Sequence, residues 1–280
     1  MTVCVAIKVH DCIVFATDSA VSMMSTTSTS TGTTTMSNVW RHDLKVFNLH
    51  RNLPIVAMSA GLANFGSMST TNLAKDLRKN LMEDPCVNTY TLEQVTDEAY
   101  DYFQSEYSRI HTPSHSDHSF EFWIGGYSHD IKQGEIWKFE LRNGQWQDPI
   151  QLAMPETEDI VLWGGQIQAI SRLLLGHDPQ LHNVLQSQIP NTDQLQQVRS
   201  ELLKLQTPLV NASMPVQDAI NLADFLVDMT KRYFAFLPGA DIVADDTDIA
   251  TVTKHEGFKW IRRKHYYSPQ FNRRETDHAS

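Results

Sequence analysis

The opening eighteen residues, MTVCVAIKVHDCIVFATD, constrain this chain most. Val3, Val5, Ile7 and Val9 alternate with Cys4, Ala6 and Lys8, the period of two that defines a strand. His10-Asp11 is a polar break of hairpin length, Cys12 to Ala16 is a second apolar run, and Thr17-Asp18 ends it. Chain ends fray unless they are tied down, so a strand that begins at residue 2 asks for a reason.

Thr2 supplies one. Removal of Met1, usual before a small residue, opens the chain with a free α-amine beside a β-hydroxyl. An α-amine titrates at about 7.7–8.0, so it can act as a base near neutral pH. Hydroxyl and base in one residue make a self-contained nucleophile pair. The plainer alternative is that Thr2 simply starts an edge strand.

At 280 residues the chain can bury one large core or two modest ones, and 41% apolar with 20% charged residues is the composition of a soluble globular protein. The sequence holds no apolar run of membrane-spanning length and no signal-peptide pattern at its start. Three cysteines (Cys4, Cys12, Cys86) lack metal-binding spacing and point to a reducing, cytoplasmic compartment. Seven Lys/Arg against three acids lie from Lys254 onward, so the rest of the chain carries −14 of a net charge of −10. An acidic body argues against a nucleic-acid partner. Residues 261–280, basic and interleaved with aromatics, read as a flexible tail.

The order of elements follows from periodicity. Residues 22–38, almost wholly Ser, Thr and Met, read as a strand to about Met24 and then a mobile polar loop. In WRHDLKVFNL, Lys45 lies between Leu44 and Val46, so a strand there turns it to the face opposite both. An inward lysine is costly unless paired, and Asp18 is a candidate partner. Leu53 to Ser59 reads as a buried strand, and Asn64 to Asn80 and Glu93 to Ile110 as helices. His111, His115 and His118 share a Ser/Pro-rich loop, where zinc is conceivable but the spacing is poor, and no metal is expected. Strands follow at Phe120 to Tyr127, Glu135 to Leu141 and Ile160 to Trp163, then helices at Gln166 to Leu175, from Thr192, and at Met214 to Phe234. Asp248 to Lys254 reads as the last strand. Segregated runs of strands and helices predict an α+β sandwich, two antiparallel sheets between helical layers (αββα), in one domain over 1–260 with polar insertions near 22–38 and 176–212.

Taken in order, TVCVAIK, FATD, DLKVF, SAGL, FWIGGY, WGGQ, MPVQDAINLA and TDIATVT resemble a proteasome β-type subunit, within the N-terminal nucleophile hydrolases, over nearly the whole chain. The simpler bacterial proteasome-like proteins are the nearer pattern. The resemblance implies a threonine-type endopeptidase needing no cofactor. Thr2 would be the nucleophile, Lys45 would favour its neutral amine by like-charge repulsion, and Asp18 would hold Lys45. The Gly61 N–H would be the oxyanion donor. Ala20, Val21 and Ser22 would frame the cleft with Ser59 to Ala63, and Val21, Phe47, Ser59 and Ala63 would shape the pocket for an apolar or small side chain. Partners implied are a peptide or unfolded protein and further copies of the chain in a ring or spiral; the sequence does not say whether an unfoldase serves it, and no nucleic acid and no membrane are expected.

Two positions depart from that pattern. Gly165 stands where the family usually has Ser, and the family's late Asp falls near Tyr233, leaving Asp241 or Asp245 as substitutes, Asp241 preferred. Two alternatives follow, an N-terminal nucleophile amidase acting on small amides and a catalytically silent scaffold.

Overall fold

The computed structural model describes residues 2–29, 32–83, 89–110, 118–237, 243 and 246–264, with backbone alone for 22–39. One five-stranded antiparallel sheet contains β1 (Val3–Lys8), β2 (Ile13–Thr17), β12 (Ile160–Gly165), β13 (Asp248–Thr253) and β14 (Gly257–Arg262), in the order β12-β1-β2-β13-β14. The second contains β5 (Val46–Asn48), β6 (Ile55–Gly61), β9 (Phe120–Gly126), β10 (Glu135–Arg142) and β11 (Gln145–Ala153), in the order β11-β10-β9-β6-β5. β3 (Val21–Thr29) pairs with β4 (Gly32–Trp40) as a two-stranded ribbon, and β7 (Asn64–Phe65) with β8 (Met68–Ser69) as a short hairpin. The helices are α1 (Thr70–Glu83), α2 (Leu92–Ile110), α3 (Gln168–Leu174), α4 (Leu181–Gln188), α5 (Thr192–Leu203) and α6 (Val216–Ala235).

The expected layering is present, and the alternation within β1 explains it. Val3, Val5 and Ile7 face outward into a cluster with Ile170 and Leu174 of α3 and Ala219, Ala223, Leu226 and Val227 of α6. Cys4 and Ala6 face inward, where they meet Val56, Met58 and Ala60 of β6 and Trp123 of β9. Small residues on the inner face let the two sheets approach. A third cluster lies on the far side of the second sheet, where Leu73 and Leu77 of α1 and Val95, Ala99 and Phe103 of α2 cover Phe120, Phe122 and Phe139. Phe103 is its hub, with its ring centroid 4.7 Å from Phe122 and 5.2 Å from Phe120. Side chains of this size contribute about 1.5–3 kcal/mol each when fully buried.

Several elements differ from the periodicity reading. Residues 22–38 are not a polar loop: the backbone pairs in register from Val21↔Trp40 to Thr29↔Gly32. Ser and Thr supply no apolar alternation to announce a strand, but Thr is β-branched and suits one. The helix expected from Asn64 begins at Thr70, after the β7–β8 hairpin. The polar stretch near 176–212 contains α4 as well as α5. β13 is not the last strand, and the chain is not a free tail from 261, because β14 pairs with β13 as far as Arg262. Phe258 and Trp260 of β14 pack on the inter-sheet core.

Candidate active site

The register of β1 against β2 builds the site. Cys4 pairs with Thr17, so Asp18 falls opposite Val3. Asp18 is wholly buried, and its Oδ1 accepts from the Val3 backbone N–H at 3.0 Å and from Lys45 Nζ at 3.1 Å. Its Oδ2 accepts from the Ala20 N–H at 3.1 Å. Lys45, equally buried just before β5, also donates to the Ala20 carbonyl at 2.5 Å. Its own carbonyl accepts from the Ser59 N–H at 2.9 Å, which ties the lysine to β6. A desolvated ion pair is tolerable only when its remaining donors and acceptors are satisfied, and here the backbone satisfies them.

Thr2 is 4% exposed and sits one residue from the amide that Asp18 holds. Its carbonyl accepts from the Gln166 N–H at 2.7 Å. Gly165, opposite Val3 in β12, has φ 68°, and a Cβ added there would lie 1.9 Å from the Thr2 carbonyl oxygen. Neither the backbone angle nor the space accepts a serine at this position, so the departure at Gly165 is built into how β12 meets the chain start. Gly61 is similarly obligatory: it ends β6 at φ 94°, where a Cβ would lie 2.2 Å from the Ser119 carbonyl. The end of β6 lies beside the start of β1 and the end of β12. Cys4 Sγ donates to the Ser59 carbonyl at 3.4 Å, and Ala60 Cβ would lie 3.7 Å from a Cβ on Gly165.

The structure thus brings Thr2, Asp18, Ala20 and Lys45 into one buried corner, with Ser59 at its border, and Gly61 ends β6 two residues further on, against Ser119 and Phe120. Val21 is half-buried as the first residue of β3, and Ser22 follows it opposite Val39. Phe47 is stacked on Phe122 at 6.1 Å in the core beneath α1 and α2. Ala63 is half-buried, with its carbonyl bound by the Thr70 N–H at 2.8 Å. Tyr233 lies on α6 beneath the Arg172 guanidinium, 5.9 Å from its ring centre. Asp241, Asp245, His111 and His115 lie outside the described residues.

Ser19, Asp43, Asp248 and Lys264 also converge here, without notice from the sequence reading. Asp248 is wholly buried opposite Thr17. Lys264 Nζ lies 3.1 Å from Asp248 Oδ2, donates to the Asp43 carbonyl at 2.5 Å, and donates to Ser19 Oγ. Ser19 Oγ in turn donates to the Asp246 carbonyl, and the Asp43 N–H donates to the Ser19 carbonyl at 3.2 Å. Burial pushes the Asp43 and Asp248 carboxyls up and the Lys264 ammonium down, against the opposing pull of their charged neighbours. Asp248 was visible as the head of a strand and Lys264 as one of three basic residues, but only the sheet order places them together.

Competing chemistry finds little support in the same corner. Burial, reinforced by the Glu121 carboxylate, pushes the Cys4 thiol well up, so it stays protonated and unreactive. Among the described residues no group of His, Cys, Asp and Glu could hold a metal ion, and no helix is long and apolar enough to cross a membrane.

The architecture is that of an α+β sandwich with a buried Asp–Lys pair at the start of its first strand. Among solved structures it is similar to the Anbu complex from Pseudomonas aeruginosa, described as a helical assembly, with a TM-score of 0.53 and 16% identity over 95% of this chain and 88% of that one. At that identity the likeness is one of fold. No family model matches the sequence, and no curated protein does.

Proposed function

We propose that the chain is an N-terminal nucleophile hydrolase of the proteasome-like kind, a threonine-type endopeptidase active once Met1 is removed. One observation carries the reading: Asp18 Oδ1 is shared between the amide that follows Thr2 and the ammonium of Lys45. That oxygen fixes the nucleophile's backbone and the neighbouring cation to one point, the preorganisation that acyl transfer needs. The fold likeness to the Anbu subunit supports the same class.

In this mechanism the Thr2 hydroxyl attacks the scissile carbonyl carbon while its own α-amine takes the hydroxyl proton. Lys45, held by Asp18, keeps that amine neutral by like-charge repulsion. The Gly61 N–H donates to the developing oxyanion, and removing one such donor typically costs about 2.7–4 kcal/mol of barrier. The amine returns the proton to the leaving nitrogen, the peptide C–N bond breaks, and an ester on Thr2 remains. Water, deprotonated by the same amine, cleaves the ester and restores the hydroxyl. The peptide enters as an added strand between Ala20–Ser22 and Ser59–Ala63, with Val21, Ser59 and Ala63 shaping its side-chain pocket, while Phe47, stacked on Phe122 beneath α1 and α2, backs it from the core. The working form is an assembly of copies of this chain, as the Anbu complex is an assembly of its own.

The test is intact mass of the protein from its own host, with and without a peptide epoxyketone, a warhead that closes on a terminal amine and hydroxyl together. Loss of Met1 and one adduct on Thr2, absent from Thr2→Ala, is the expected result. Retained Met1 with no adduct would replace the enzyme by a scaffold. An adduct on Thr2 without turnover of any peptide would favour a small-amide substrate.

A further inference from the structure

We infer that Lys264, downstream of β14, is a positioning residue that clamps together the two segments carrying Asp18 and Lys45. The inference rests on the reading of Thr2 as nucleophile, but its geometry stands apart from that reading. Asp18 and Lys45 lie on separate stretches of chain, one leaving β2 and the other entering β5. The stretches run on into the paired strands β3 and β4, and apart from that ribbon and the ion pair itself they are joined by two bonds, the Asp43 N–H to the Ser19 carbonyl at 3.2 Å and Lys45 Nζ to the Ala20 carbonyl at 2.5 Å. Lys264 adds a third joint from outside: one ammonium donates to Ser19 Oγ, next to Asp18, and to the Asp43 carbonyl, two residues before Lys45. Asp248 anchors the clamp from β13. Its Oδ2 lies 3.1 Å from Lys264 Nζ, and its Oδ1 accepts from the Lys264 backbone N–H at 3.2 Å.

Burial gives the arrangement its force. The Lys264 side chain is 7% exposed and that of Asp248 not at all, so the ammonium's bonds to Ser19 and Asp43 are charge-assisted, its contact with Asp248 is a buried ion pair, and both lie where water cannot replace them. A merely stabilising pair of this kind is replaceable by apolar side chains with little loss. Here the cation reaches two backbone segments of the site, and letting them separate would move Asp18 relative to Lys45. Displacements of about 1 Å around a reacting group cost on the order of 100-fold in rate. The charges facing Lys264 are Asp43, Asp248 and, as a like charge, Lys45, so its departure also changes the field at Lys45.

The experiment compares wild type with Lys264→Met, close in length and without charge, on the full chain after Met1 removal. Two readouts are taken: the saturating rate and half-saturating concentration of epoxyketone labelling at Thr2, and hydrogen exchange at the Val3 and Ala20 amides, both held by Asp18. The expected result is a labelling rate lower by about tenfold or more at little-changed half-saturation, with about tenfold faster exchange at those two amides, the loss of one charge-assisted bond, and unchanged exchange in α2. Unchanged labelling and exchange at Val3 and Ala20, or faster exchange everywhere alike, would overturn the clamp. Faster exchange at the two amides in a protein whose wild type never labels would uphold the clamp and sink the nucleophile instead. Should Lys264→Met not fold, Ser19→Ala removes one contact of the three and is read in the same way, with exchange equal to wild type again overturning the proposal.

Discussion

The outer face of the second sheet and the corner around Thr2 are held by opposite physics. Beneath α1 and α2, Phe47, Phe65, Phe103, Phe120, Phe122 and Phe139 pack with no buried charge among them. Across the inter-sheet core, the corner around Thr2 buries the side chains of Asp18, Lys45, Asp248 and Lys264. The aromatic side gains free energy with every ring it covers. The charged side spends desolvation energy and recovers it only through complete pairing. On the proposed reading, stability resides mainly in the aromatic region and chemistry in the charged corner, so perturbing each should give separable results.

The largest effect is expected at Lys45. Lys45→Met strands a buried carboxylate and should cost about 3–5 kcal/mol in urea melts, along with all labelling of Thr2. Adding Asp18→Asn should restore most of the stability and none of the labelling. Phe103→Ala should lose about 3–5 kcal/mol by opening a cavity, yet each folded molecule, titrated by the epoxyketone, should label at the wild-type rate. A slowed rate there would show that the two regions are coupled. Gly165→Ser should cost about 1–3 kcal/mol of backbone strain and slow labelling through displacement of the Thr2 carbonyl.

The smallest expected effect is pH-dependent and lies between the two regions. Lys8, at the far end of β1, donates to the Met154 carbonyl at 2.6 Å and the Pro155 carbonyl at 3.2 Å. Burial holds it at about 8 against an ordinary 10.5. Between those values the unfolded chain binds more protons than the folded one, so stability rises with pH across that window. Lys8→Met should flatten that rise in melting curves taken from pH 8 upward, leaving labelling untouched.

The sequence was legible where pattern and chemistry coincided. β1 and β2 announced themselves by period two, and Lys45 by being a lysine on an inward face. Asp18 was then the charge available to pair with it, and the structure pairs them at 3.1 Å. The β3–β4 ribbon was hidden because Ser and Thr carry no apolar alternation, so pairing alone reveals it. β14 was hidden by Lys259, Arg262 and Arg263, whose charge outweighed the alternation of Phe258 and Trp260. The Lys264 clamp depends on β13 and β14 lying beside β2, a fact of sheet order that no local window contains.

That same order has a consequence for the chain's biosynthesis. β1 lies between β12 and β2, and Lys264 closes on Ser19 and Asp43 from more than two hundred residues downstream. A ribosome delivering about 5–20 residues per second releases Thr2 first but must run on to Lys264 before the corner is whole. Until β12 emerges β1 lacks that neighbour, and until Lys264 emerges the corner lacks its clamp. On the proposed reading, the corner that would do the chemistry is completed only when nearly all of the chain has been made.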